Sequence, residues 1–225
     1  MKKITEIENF PKRLLMCVFG VVICAISVGF FKRAAFGVDP FQAFMAGLNA
    51  VVPLSFGTLY VIANLLLLLF ALLADRHYIG LATVVNLFLV GYIVEYSHQF
   101  LLWLFPELHL PGRILCLVIA IVIMCLASAF YFTADLGVST YDAVALIITG
   151  TWHKGQFRWV RIATDLICVA TGVVLYLISG GKLSGIGAVA GVGTIITAFF
   201  MGPLIDFFNW NVAQPLLQGK QETSH

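Results

Sequence analysis

The chain has 225 residues, of which 61% are hydrophobic and only 11% charged, and its mean hydropathy is +1.00. Soluble domains carry about 45–50% apolar and about 25% charged residues, so a water-soluble fold could not cover this much apolar surface, and a bilayer is the solvent the composition implies. A net charge of +2, with Lys and Arg dispersed at segment ends, is too small to suggest a nucleic-acid surface, and none is expected.

A helix needs roughly 20 apolar residues to cross hydrocarbon. Six runs meet or approach that length: 14–31, 58–73, 79–105, 114–132, 159–179 and 185–208. The first has the basic flank of a signal peptide but reads on into Phe31-Lys32-Arg33 without a small-residue cleavage site, so it is expected to be a membrane span. Two further segments, 40–52 and 140–152, are 13 residues each, short for a crossing and too apolar for a plain loop. They are expected to be half-helices, re-entrant or interfacial. The polar tail, 218–225, is expected to fray.

Both short segments follow copies of one motif. Phe36-Gly37-Val38-Asp39-Pro40-Phe41-Gln42-Ala43 aligns with Leu136-Gly137-Val138-Ser139-Thr140-Tyr141-Asp142-Ala143, an offset of 100 residues. Such self-similarity fixes architecture before any other signal. Each copy is span, half-helix, span, span. An odd number of crossings turns the second copy upside down relative to the first, as in many secondary transporters. The expected fold is therefore an all-α integral membrane protein, with six transmembrane helices forming two inverted three-span repeats. Repeat 1 covers about 12–105 and repeat 2 about 112–210 of a single membrane domain, 1–225. If the half-helices crossed instead, there would be eight spans and parallel copies. With the N-terminus inside, nine Lys and Arg residues (Lys2, Lys3, Lys12, Arg13, Arg76, Lys154, Arg158, Arg161, Lys220) lie in the cytoplasm, against four outside (Lys32, Arg33, Arg113, Lys182). That bias favours cytoplasmic N- and C-termini.

The half-helix starts carry the sharpest chemical signal. Asp39 is placed to cap the first, with Pro40 at the first helical position and Gln42 at the third. Ser139 caps the second, and Asp142 completes a Ser-x-x-Asp capping box. Gly37 and Gly137 allow the bend before each. A helix that starts within a membrane presents unpaired N–H groups and a positive dipole end to an anion. The alternative is a plain capped turn.

Arg158, Arg161 and Asp165 follow at spacings of three and four on the fifth span, so they share a face. Their first-copy counterparts Gly57, Tyr60 and Asn64 are uncharged. Ionisable groups inside a membrane cost about 2.5–3.5 kcal/mol each and usually line a site or pathway. Alternatively, Arg158 and Arg161 snorkel to lipid phosphate while Arg161 pairs with Asp165. The last spans also match: Thr83-x-x-Asn86…Gly91-x-x-x-Glu95 aligns with Thr194-x-x-Thr197…Gly202-Pro203-x-x-Asp206. Substrate contacts are thus expected from Asp39, Gln42, Asn64, Asn86, Ser139, Asp142, Arg158, Arg161 and Asp165. Proton or ion coupling is expected from Asp165, Glu95 and Asp206.

The five cysteines lie in apolar runs without CxxC spacing, so neither a disulfide framework nor a metal site is expected. The histidines lack metal-ligand spacing. Lys182 in Ser-Gly-Gly-Lys-Leu-Ser lacks the strand-to-helix unit of a phosphate loop. No catalytic set and no cofactor is implied. Trp103, Trp152, Trp159 and Trp210 near span ends fit an interfacial belt.

Across roughly residues 12–210 the sequence resembles the YczE/YitT type of bacterial integral membrane protein. The resemblance rests on the two glycine motifs, Leu54-Ser55-Phe56-Gly57-Thr58, Arg158-x-x-Arg161, and Gly193-Thr194 through Gly202-Pro203-Leu204-Ile205-Asp206. The first copy departs from Gly-Pro-x-x-Asp, having Gly91-Tyr92-Ile93-Val94-Glu95. The resemblance implies a multi-pass protein of the bacterial cytoplasmic (inner) membrane. The function expected from the residues is a small secondary transporter or permease for a small polar or anionic metabolite, bound between the repeats, with a homodimer plausible at this size. The alternatives are a non-transporting membrane partner or regulatory protein, a substrate-binding membrane subunit of an ATP-driven vitamin importer and, weakest, a membrane-embedded enzyme.

Overall fold

The computed structural model describes residues 9–218, which fold almost entirely into helices, with no strand among them. Residues 219–225 of the tail, together with Lys2 and Lys3, lie outside the described residues. Six segments are long and apolar enough to cross a membrane: Phe10–Ala34, Phe56–Ala74, Leu81–Leu104, Leu110–Ala134, Trp159–Ile178 and Leu183–Met201. The protein is a multi-pass membrane protein.

Helices α1 (Phe10–Ala34) and α5 (Leu110–Ala134) form the central pair. Gly20 gives them close contact, because a Cβ there would meet the Ala127 carbonyl oxygen at 2.9 Å. They run antiparallel, and each is clasped by an arginine from the start of the other. Arg13 Nη1 donates to the carbonyls of Thr133 and Ala134 at 3.2 and 3.1 Å. Arg113 donates through Nε to the Ala34 carbonyl at 2.8 Å and through Nη2 to the Ala35 carbonyl at 2.9 Å. Helix C-termini leave carbonyls unpaired and negative, so a guanidinium is the fitting partner. Both helices then end alike. Ala35 and Asp135 are left-handed (φ 55° and 50°), followed two residues on by Gly37 and Gly137 (φ 94° and 106°), which only glycine adopts without strain.

Short helices follow: α2 (Pro40–Val51) and α6 (Thr140–Leu146), the latter continued by a π turn, Ile147–Thr151. Their first residues are buried: Phe41 is 7% exposed and Thr140 1%. The two starts meet, with the Phe41 and Tyr141 rings stacked 4.9 Å apart. Helix α3 (Phe56–Ala74) packs on α4 (Leu81–Leu104), and α2 lies along α7 (Phe157–Ile178). There Gly47 touches Gly172 so closely that neither tolerates a Cβ.

The last expected span, 185–208, is not one helix. A 3₁₀ turn (Leu183–Gly185) and a short α8 (Ile186–Val189) precede extended Gly191, after which α9 (Val192–Phe208) begins. At the break the Gly193 N–H turns away from its own segment and donates to the Phe36 carbonyl at 2.7 Å. The start of α4 does the same in the other direction. Ala82 N–H donates to the Leu136 carbonyl at 3.0 Å, and extended Gly80 replaces the helical start expected at Ile79. Thr83 and Thr194 accept from the Gly80 and Gly191 N–H groups at 3.1 and 3.2 Å. Outward faces of α4, α7 and α9 carry exposed Phe88, Leu166, Ile167, Phe199 and Phe200, an apolar coat that lipid covers. Trp103, Trp152, Trp159 and Trp210 are exposed near segment ends, as an interfacial belt requires.

Candidate functional site

The N-cap of α2 forms as its sequence dictates, with Asp39 Oδ1 accepting from Gln42 N–H at 3.2 Å and Pro40 opening the helix. At α6 the expected capping box takes another form. Ser139 Oγ accepts from Asp142 N–H at 3.1 Å, but Asp142 Oδ2 accepts from the Ser139 hydroxyl at 2.7 Å rather than from its backbone. The second Asp142 oxygen, Oδ1, faces away and takes Arg161 Nη1 in an ion pair. The competing demand of a guanidinium on α7 outweighs the last backbone cap.

Arg161 is shared. Its Nε lies 3.3 Å from Asp165 Oδ1, one turn along α7, and that oxygen also accepts from the Tyr141 hydroxyl at 2.6 Å. The guanidinium carbon sits 4.4 Å over the Tyr141 ring, adding a cation–π contact. Arg161 is thus held on three sides by the start of α6 and by its own helix. Phe41 extends the aromatic floor, stacked on Tyr141 and edge-on to Tyr60 at 5.8 Å.

The neutral half of the site touches the same floor. Asn64 Oδ1 accepts from the Thr140 hydroxyl while its Nδ2 donates to the Tyr60 carbonyl at 2.8 Å. The Tyr60 hydroxyl donates to Asn86 Oδ1 at 3.3 Å. Gln42 Oε1 and the Tyr131 hydroxyl are buried without a hydrogen-bond partner among the described residues. Buried polar atoms are almost always paired, so these two are exceptions within the core.

Eight expected contacts therefore divide cleanly. Ser139, Asp142, Arg161 and Asp165 form one bonded network, and Asn64 and Asn86 reach it through Thr140 and Tyr60. Asp39 and Gln42 open the facing helix. The side chain of Arg158 lies outside what the structure describes. The expected coupling residues do not gather. Asp165 is central, Glu95 lies on α4 with Oε2 accepting from Gly57 N–H at 3.1 Å, and Asp206 is exposed far along α9. The matched glycine spacing of Glu95 and Asp206 places each late in its helix, away from the starts where α2 and α6 meet.

Residue-by-residue reading missed Tyr141, Thr140 and Tyr131, because aromatic and hydroxyl side chains in apolar runs look like core. Tyr141 had a signal, being the polar member of the Phe41/Tyr141 pair. The Arg13–Arg113 clasp had one too, the same 100-residue offset as the motifs. Among the described residues no group of three or more His, Cys, Asp or Glu is arranged to hold a metal ion.

No solved structure matches the chain. The uncharacterized membrane protein YczE of Bacillus subtilis (strain 168) is 26% identical over 192 residues, 84% of this chain and 81% of the relative. The uncharacterized protein YyaS of the same organism is 24% identical over 195 residues, 84% of this chain and 88% of the relative. The model of the "Family of unknown function (DUF6198)" matches residues 11–210, nearly the whole described structure, so the chain belongs to this YczE-type family of membrane proteins.

Proposed function

We propose that the protein is a small secondary transporter for a small polar or anionic metabolite, a single domain of two inverted three-span repeats in the bacterial cytoplasmic membrane with both termini in the cytoplasm. One observation carries the reading: two interrupted segments start in the interior and converge on Arg161, a cation held by Asp142 and Asp165. Support for the inversion comes from reciprocity. Arg13 clasps the end of α5 as Arg113 clasps the end of α1, and each motif accepts an N–H from the last long helix of the other half. Reciprocal contacts of this kind belong to a two-fold axis, here between antiparallel copies.

The network also supplies a coupling logic. With both carboxylates ionised, the Arg161 charge is more than compensated by Asp142 and Asp165, so the site does not attract a further anion. A proton on Asp165 weakens its pair with Arg161 and leaves positive charge for the incoming solute. Proton and anion then bind together with no net change in buried charge, which avoids the cost of an uncompensated ion in low dielectric. The size of the chain is compatible with a homodimer.

The test is uptake by proteoliposomes that enclose a pH-sensitive dye, screened against small polar and carboxylate metabolites under an imposed gradient. At least one is expected to acidify the lumen, and Arg161→Ala and Asp165→Asn are expected to abolish the signal. A broad screen with no response, or a response that survives both substitutions, overturns the reading in favour of an ion network that only holds helices together.

A further inference from the structure

Away from the Arg161 network, a polar cleft of about 280 Å³ opens between the last turn of α1, the α2–α3 connection and the final third of α4. Lys32 and Glu95 line it, with Phe56, His98 and Gln99. We propose that this cleft binds a small zwitterion of the amino-acid class, its carboxylate on Lys32 and its ammonium on Glu95.

The assignment follows from two charges that share a cleft but do not pair. Lys32 Nζ lies 3.2 Å above the Phe56 ring, and among the described residues no carboxylate comes within ion-pair distance of it. Glu95 commits Oε2 to the Gly57 N–H at the start of α3, which fixes the carboxylate and leaves Oε1 for a guest. A flexible lysine and a fixed glutamate would ordinarily close on each other. Here the Phe56 face holds the ammonium over the ring. A ligand of one sign would be attracted by one wall and repelled by the other, whereas a molecule with both signs satisfies each at once. His98 Nδ1 is buried and has no hydrogen-bond partner among the described residues. The volume suits a molecule of a few to about ten heavy atoms and is at the small end of the range for ligand sites.

The experiment uses the full-length protein in detergent micelles, with L-alanine as probe and the other standard amino acids as a panel. Acetate and ethylammonium, each carrying one of the two charges, serve as half-probes. At roughly a hundredfold excess over Kd, a bound amino acid raises the thermal midpoint by several degrees, while neither half-probe matches it. Lys32→Gln removes the shift. Glu95→Gln does so as well, and because that change also loosens the α3 cap, a second readout is needed. In Gln99→Cys, with wild type as the labelling blank, the amino acid slows modification by a small thiol reagent at least several-fold. Arg161→Gln leaves both signals in place, so failure of the transport reading and failure of this one are separable. A panel without shift or protection, an acetate effect equal to that of the amino acids, or undiminished binding by Lys32→Gln overturns the assignment.

Discussion

At the start of α2 the chain places Asp39, Pro40, Phe41 and Gln42; at the start of α6 it places Ser139, Thr140, Tyr141 and Asp142. On the helices that follow, Tyr60 and Asn64 stand where the second half has Arg161 and Asp165. Backbone features repeat faithfully across these pairs: the left-handed residue, the glycine, the capped start and the N–H lent to the opposite half. Side-chain chemistry does not repeat. One half offers amide and phenol groups, the other a guanidinium between two carboxylates. The two segments thus share what the membrane demands of backbone and differ in their polar side chains, so that similar turns flank a one-sided site.

The sharpest way to break this comparison is at the paired glycines. Gly37→Ala and Gly137→Ala each force a side chain into the left-handed region against a neighbouring backbone: Gly191 N–H for the first, Gly80 Cα at 2.6 Å for the second. Each is expected to cost about 3–5 kcal/mol, from strain and overpacking together, in unfolding titrations in mixed micelles. A large loss at one and none at the other would show that the halves are not built alike.

Next in size is the charged centre. Arg161→Ala strands Asp142 and Asp165 and is expected to cost about 3 kcal/mol by the same titration. The combined change Arg161→Met, Asp142→Asn, Asp165→Asn removes all three charges. It is expected to recover to within about 1 kcal/mol of wild type while uptake stays lost. Recovery of both would reduce the network to a structural tie.

The clasps come third. Arg13→Ala and Arg113→Ala are each expected to lose about 1–2 kcal/mol for hydrogen bonds from a charged donor to helix-end carbonyls. Similar losses sharpen the two-fold comparison, and a several-fold difference blunts it.

The smallest effect is one of pH. Thr151 and the His77 N–H donate to Asp75 at 2.6 and 2.8 Å, and the first ties the π turn after α6 to the end of α3. The Thr151 hydroxyl first, and the His77 N–H second, hold the Asp75 carboxyl below its ordinary value. A depressed folded value stabilises above the unfolded pKa of about 3.9 and loses that contribution as the pH falls through the folded one. Thr151→Val is therefore expected to flatten the acid limb of the stability profile, with little change near neutrality.

Much of the frame was legible in the residues alone. Run lengths placed five of the spans, and the doubled glycine motif with its capping residues placed α2 to within a residue and the start of α6, whose end passes into a π turn. Interactions across the chain were not legible. Nothing local says that the Asp142 carboxylate would prefer a guanidinium 19 residues on to its own capping position. Nor does local pattern reveal that residues 190–191 would leave the helix, because the acceptor that draws the chain out, the Phe36 carbonyl, belongs to the other half. Glu95 and Asp206 share a spacing and not a destination, since similar helices end against dissimilar neighbours.

The crossed lending of N–H groups has a further consequence. Ala82 and Gly193 find their acceptors only in the opposite copy, and in hydrocarbon an unmet peptide group costs several kcal/mol. Neither copy could therefore settle in a membrane by itself. Expressed as two polypeptides, residues 1–105 and 106–225 would be expected to survive only when made together.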